Sequence, residues 1–141
     1  MIRRATRVPY LVLIFSLAGL GAARAADAET IDCANAASTA EMNFCADKDY
    51  QAADKALNAA YANAVAFIRT RNMEKPYDAA SFEEAMRNAQ RTWVAYRDAD
   101  CKELVAQEWA GGSGTSAAAL GCMTEKTIQR TKELKDRYTE H

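Results

Sequence analysis

The sequence predicts a small all-α protein, an antiparallel bundle of two long helices plus a third, stapled by two disulfides. Three observations carry this. Apolar residues recur every three or four positions over long stretches, no segment alternates with period two, and four cysteines occupy an otherwise loop-poor chain.

The first helix begins at Ser38-Thr39-Ala40-Glu41, a capping-box pattern in which hydroxyl and carboxylate satisfy the free amides of the first turn. From there Met42, Ala46, Tyr50, Ala53, Leu57, Tyr61, Ala64 and Ile68 form one apolar stripe, predicting a helix over 39–72. Residues 73–80 carry Pro76 and Asp78 and make a turn. A second capping box, Ser81-Phe82-Glu83-Glu84, precedes Phe82, Met86, Ala89, Trp93 and Tyr96, whose spacing predicts a helix to about Trp109. Gly111-Gly112-Ser113-Gly114 ends it, because glycine accepts the left-handed backbone that closes a helix. Leu120, Thr124, Ile128, Thr131, Leu134 and Tyr138 then mark a third helix from Thr115 or Ser116. The alanine tracts suit close helix approach.

Residues 1–25 read as a secretory signal: Arg3, Arg4 and Arg7 precede the apolar run Tyr10–Leu20, and Ala23-Arg24-Ala25 offers a cleavage site after Ala25. That apolar run is too short to span a bilayer, where roughly 20 residues are needed. The first cysteine, Cys33, lies too far downstream for a lipid anchor. The expected mature chain is therefore one periplasmic or secreted domain, residues 26–141. Cleavage removes four arginines, leaving 14 basic against 19 acidic residues and shifting the formal charge from −1 to −5. The acids crowd at one end: Asp27, Glu29, Asp32, Glu41, Asp47, Asp49 and Asp54 face only Lys48 within residues 26–54. Such a field suits a cationic partner and argues against nucleic acid; an ordinary solvated helix face is the other reading of these charges.

In an exported chain, four cysteines imply structural disulfides rather than redox chemistry. With no Cys-x-x-Cys and His141 as the sole histidine, neither a metal nor a cofactor is expected. Helix levels rank the pairings. Across the second turn Cys101 and Cys122 fall at nearly one level, whereas Cys45 lies roughly 12 Å from the level of Cys101, at 1.5 Å per residue. A disulfide reaches only ~7 Å between Cα atoms, so the expected pairs are Cys33–Cys45 and Cys101–Cys122.

The densest stretch of functional-looking groups is AQRTWVAYRDADC, residues 89–101. Trp93, Tyr96 and Arg97 read as the seam where the middle helix meets its neighbours, with the Arg97 guanidinium against the Trp93 indole. Asp98 and Lys102 form an outward i, i+4 pair. Asp98, Asp100 and Glu103 could supply the two carboxylates of a glycan-cleaving enzyme. No histidine base or Gly-x-Ser-x-Gly turn accompanies them, and three helices leave little room for a cleft, so no catalysis is expected.

The order Asp32-Cys33, Glu41-Met42-Asn43-x-Cys45-Ala46, Ala53-Asp54-x-x-Leu57-Asn58-x-x-Tyr61, Ala89-Gln90-x-x-Trp93-x-x-Tyr96-Arg97-Asp98-x-x-Cys101, Gly111-Gly112-Ser113, Cys122 and Thr127-x-x-Arg130 resembles the lysozyme-inhibitor LprI-like domain. The resemblance runs from about Ile31 to Tyr138. It implies a helical, exported, Cys-paired protein whose partner is lysozyme or another cationic peptidoglycan hydrolase. The alternative is an envelope structural or interaction module with a different partner. Candidate partner-binding residues are Trp109, Gly111, Gly112, Ser113 and Gly114 at the glycine-rich tip, the acids Asp47, Asp49 and Asp54, and Asp98 or Asp100 at the edge of the seam. For the tip, a tight turn with a packed tryptophan is the competing reading.

Overall fold

The computed structural model describes residues 31–138; the proposed signal segment and its cleavage site lie outside the described residues. Among the described residues all regular structure is helical. Helix α1 spans Thr39–Arg69 and α2 spans Ala79–Asp98. A π-helical segment, Ala99–Leu104, continues α2 into the single turn α3, Val105–Glu108, and α4 covers Thr115–Tyr138.

Helix α1, roughly 46 Å long at 1.5 Å per residue, opens on the capping box. The Glu41 amide donates to Ser38 Oγ at 3.2 Å, and the Ser38 amide donates to the Glu41 carboxylate at 2.8 Å. The helix stops at Arg69 rather than 72, where the Thr70 and Arg71 amides donate to Phe67 and Ile68 carbonyls. A connection with a cis Lys75–Pro76 bond follows. The second cap differs from expectation: Asp78, not Ser81, closes the start of α2, accepting from the Ser81 amide at 3.0 Å and the Ser81 hydroxyl at 2.7 Å. Two good capping residues stand three apart, and the earlier one wins the extra turn.

Helices α1 and α4 run parallel and pack along much of their length, with α2 antiparallel across one face of the pair. Ala53, Ala60 and Ala64 on α1 are buried, as are Thr127, Thr131 and Leu134 on α4, so small side chains permit this close approach. Leu57, Ala60, Ala64, Val65, Ile68, Met86 and Leu134 form the core, with Tyr61, Phe82, Trp93 and Tyr138 packed against it. This core lies toward the α1–α2 turn. The opposite end has the two disulfides instead, Cys33–Cys45 and Cys101–Cys122, with Cα separations of 5.6 and 5.5 Å. A domain this small has little apolar volume to fill both ends, and covalent staples supply what packing does not.

Several stripe positions are corrected by the structure. Ile128 is 57% exposed, and Thr127, one residue earlier, is buried in its place. Ala89 is exposed, and Met42 and Tyr96 are exposed large side chains. The inward face of the middle helix runs instead through Phe82, Met86, Gln90, Trp93, Arg97 and Cys101.

Candidate functional site

The stapled end of the bundle gathers most of the residues singled out in the sequence. At its root sits Arg97, only 5% exposed. Its guanidinium donates to Asp98 at 2.9 and 3.0 Å and to the Thr127 hydroxyl at 3.3 Å, and lies 3.7 Å from the Asp54 carboxylate. The same guanidinium stands over the Trp93 ring at 5.3 Å and the Tyr50 ring at 5.4 Å. One side chain thus ties α2 to both α1 and α4. Trp93 also faces Arg130, 6.0 Å from its ring, while Arg130 donates to Gln90 at 3.1 Å.

Beyond Arg97 the backbone changes pitch. The Val105 amide donates to the Asp100 carbonyl, five residues back, which places an extra residue in the turn. In that segment Cys101 is fully buried against α4. Asp100 pairs with Lys126 at 3.1 Å, and the Lys126 ammonium also donates to the Tyr96 hydroxyl at 3.2 Å. These bonds, Tyr96 first and Asp100 second, raise the Lys126 pKa above the ordinary lysine value. Tyr96 is therefore exposed yet attached to α4, at the outer edge of the seam.

The predicted acids divide into two groups. Asp54, Asp98 and Asp100 are engaged: Asp54 with Arg97 and with Asn58, which donates to it at 2.9 Å; Asp98 with Arg97 and Lys102; Asp100 with Lys126. Asp47 and Asp49 are exposed, and point to different sides of α1. Burial pushes the Asp98 carboxyl up, but hydrogen bonds from Lys102 and Arg97 outweigh it and hold the group below the usual carboxylate range. A general acid needs the opposite shift. Asp100 also lies beside the sulfurs of Cys101 and Cys122, but these are bonded to each other and offer no thiolate to a metal.

The glycine-rich tip is a closed turn under a half-exposed tryptophan. Ala110 and Gly111 both adopt left-handed backbone, φ 49° and 67°, and the Gly111 amide donates to the Ala106 carbonyl at 3.2 Å. The Trp109 ring lies on Gly114, where a Cβ would collide with it. Trp109 is nonetheless 50% exposed, and Leu104, Phe44 and Met42 are comparably exposed at this end. The turn is tight, and the ring that packs on it has one side open to solvent. Leu104, Phe44 and Met42 escaped sequence reasoning, because each occupies a helical position indistinguishable from core.

Charge is segregated along the bundle axis. The stapled half, residues 31–54 and 96–126, has ten acids against four bases; the other half, residues 55–95 and 127–138, has six against ten. The formal charges are −6 and +4.

The lysozyme inhibitor LprI family matches over residues 32–134, nearly all of this bundle. The chain belongs to the LprI family. An uncharacterized protein of Rhizobium meliloti (strain 1021) is 42% identical over 108 residues, which cover 74% of this chain and 77% of the relative. No solved structure matches. In LprI terms, the matched span includes both disulfides, the Arg97 junction and the Trp109 tip. Among the described residues no helix is long and apolar enough to cross a membrane.

Proposed function

We propose that this LprI-family protein is an exported, non-catalytic inhibitor that binds a cationic cell-wall hydrolase of the lysozyme class through its acidic, disulfide-stapled end. The observation that carries this reading is the coincidence, at one end, of a −6 formal charge with exposed Met42, Phe44, Leu104 and Trp109. Acidic surface accelerates encounter with a basic enzyme, and aromatic or aliphatic side chains at the contact supply the short-range free energy. Trp109 is the proposed anchor, because the Gly114 backbone beneath it fixes the ring before binding and lowers the entropy lost on contact. Asp47 adds to the field, whereas Asp54, Asp98 and Asp100 act through the architecture they hold together. The family description supports the inhibitory activity, and the acidic balance supports the choice of a cationic target.

Titration calorimetry of mature protein into a cationic lysozyme at low ionic strength tests the reading. Binding is expected, weakened by Trp109→Ala with the fold intact by circular dichroism. Absence of heat and of competition across several lysozyme types removes the proposal.

A further inference from the structure

Helices α1 and α4 present two faces, and α2 covers one. On the covered side, Tyr50, Asp54 and Thr127 meet Arg97, Lys126 meets Tyr96, and Arg130 meets Gln90. On the other side, about 100° further round each helix, Asp49, Ala56, Glu125, Ile128 and Lys132 border a shallow groove that no described element covers. Ile128, 57% exposed, stands at its middle and contributes to both halves. Toward the stapled end the charged groups are Asp49 and Glu125; toward the other end they are Lys132, Lys135 and Asp136, with Lys132 bonded to Asp136 at 2.6 Å.

We propose that this groove is the interface of an antiparallel homodimer whose two-fold axis passes at Ile128. A symmetric interface must be complementary to itself, so that residue i meets j while j meets i. Rotation about an axis at Ile128 lays the Asp49–Glu125 stretch of one copy on the Lys132–Lys135 stretch of the other, twice, and brings the two Ile128 side chains together at the centre. The parallel arrangement would set acid on acid. The same rotation superposes the −6 half of one bundle on the +4 half of its mate, so the long-range field favours the same register. A foreign partner would need this polarity and spacing by coincidence; a second copy has both by construction. From Gly121 to Asp136 the groove is roughly 24 Å long, enough for a weak, salt-sensitive dimer rather than an obligate one. Helix α2 stays outside the contact, leaving the two Trp109 tips at opposite ends of the assembly.

Sedimentation of the mature, disulfide-intact protein over a concentration series reads this without reference to lysozyme. The expected result is a concentration-dependent dimer at low salt that dissociates on raising ionic strength. Ile128→Asp should sediment as monomer with unchanged helical signal, since the side chain is exposed. Glu125→Lys should weaken the dimer and Glu125→Lys with Lys132→Glu should restore it. Ile128→Cys should cross-link to its own counterpart under mild oxidation, because the axis places equivalent residues together. A monomer at every concentration, a dimer indifferent to Ile128→Asp, or failure of Ile128→Cys to cross-link overturns the proposal.

Discussion

Arg97 of the middle helix lies 3.7 Å from Asp54 of α1 while only 5% of the arginine is exposed, so a buried cation joins the stapled half of the bundle where apolar packing thins out. Its other partners, Asp98 and Thr127, come from its own helix and from α4.

Replacing Arg97 by Ala should destabilise the protein by about 2–4 kcal/mol, through lost hydrogen bonds and the lost stem packing between Trp93 and Tyr50. Arg97→Met should cost less, because it retains the stem. Asp54→Asn should cost under about 1 kcal/mol, since Asp54 is partly hydrated and Arg97 keeps Asp98. Urea denaturation of the three variants checks the order; equal losses for Arg97→Met and Asp54→Asn would place the stabilisation elsewhere.

Acid should unfold the protein by a predictable route. Desolvation opposes ionisation of Asp98, but its bonds to Lys102 and Arg97 leave its folded pKa lowered; Glu83 is lowered chiefly by its hydrogen bond from Arg69. A carboxylate depressed in the folded state contributes stability above its unfolded pKa and loses it as pH falls through the folded value. Urea midpoints should therefore stay level down to about pH 5 and decline below about pH 4. Asp98→Asn should lower the neutral plateau and make the acid decline shallower. A midpoint that rises on acidification contradicts this assignment.

The tip offers a test of backbone chemistry. Ala110 occupies left-handed space that disfavours a Cβ, so Ala110→Gly should stabilise by up to about 1 kcal/mol, and Gly111→Ala should destabilise by a similar amount. Gly114→Ala should lift the Trp109 ring from its seat, read as a change in tryptophan fluorescence with little change in helix content. Unaltered fluorescence would mean that the ring does not rest on Gly114 in solution.

Much of the fold was legible in the sequence, and the exceptions have physical causes. Periodicity located the three helices, and helix levels alone ranked the disulfides, because 1.5 Å per residue turns sequence distance into height. The π-helical segment was not legible: Cys101, tied to α4, and Asp100, paired with Lys126, lie within it, and both partners are more than 20 residues away. Thr127 lies inside, where its hydroxyl accepts from Arg97, and Ile128 lies outside, a phase that hydropathy alone would reverse. At the candidate site, Trp109 and the glycine turn could be picked out from the chain. The division of the acids into Asp54, Asp98 and Asp100, which hold cations, and the exposed Asp47 and Asp49 could not, since it depends on partners brought close only by folding.

Lysozyme inhibition is tested most directly by the rate at which a cationic lysozyme clears a suspension of bacterial cell walls, with and without purified protein spanning residues 26–141. At low salt, lysis should slow in proportion to added protein, recover as ionic strength rises, and be slowed less by Trp109→Ala. Lysis at an unchanged rate over a panel of lysozymes, or inhibition undiminished by salt and by Trp109→Ala, would contradict it.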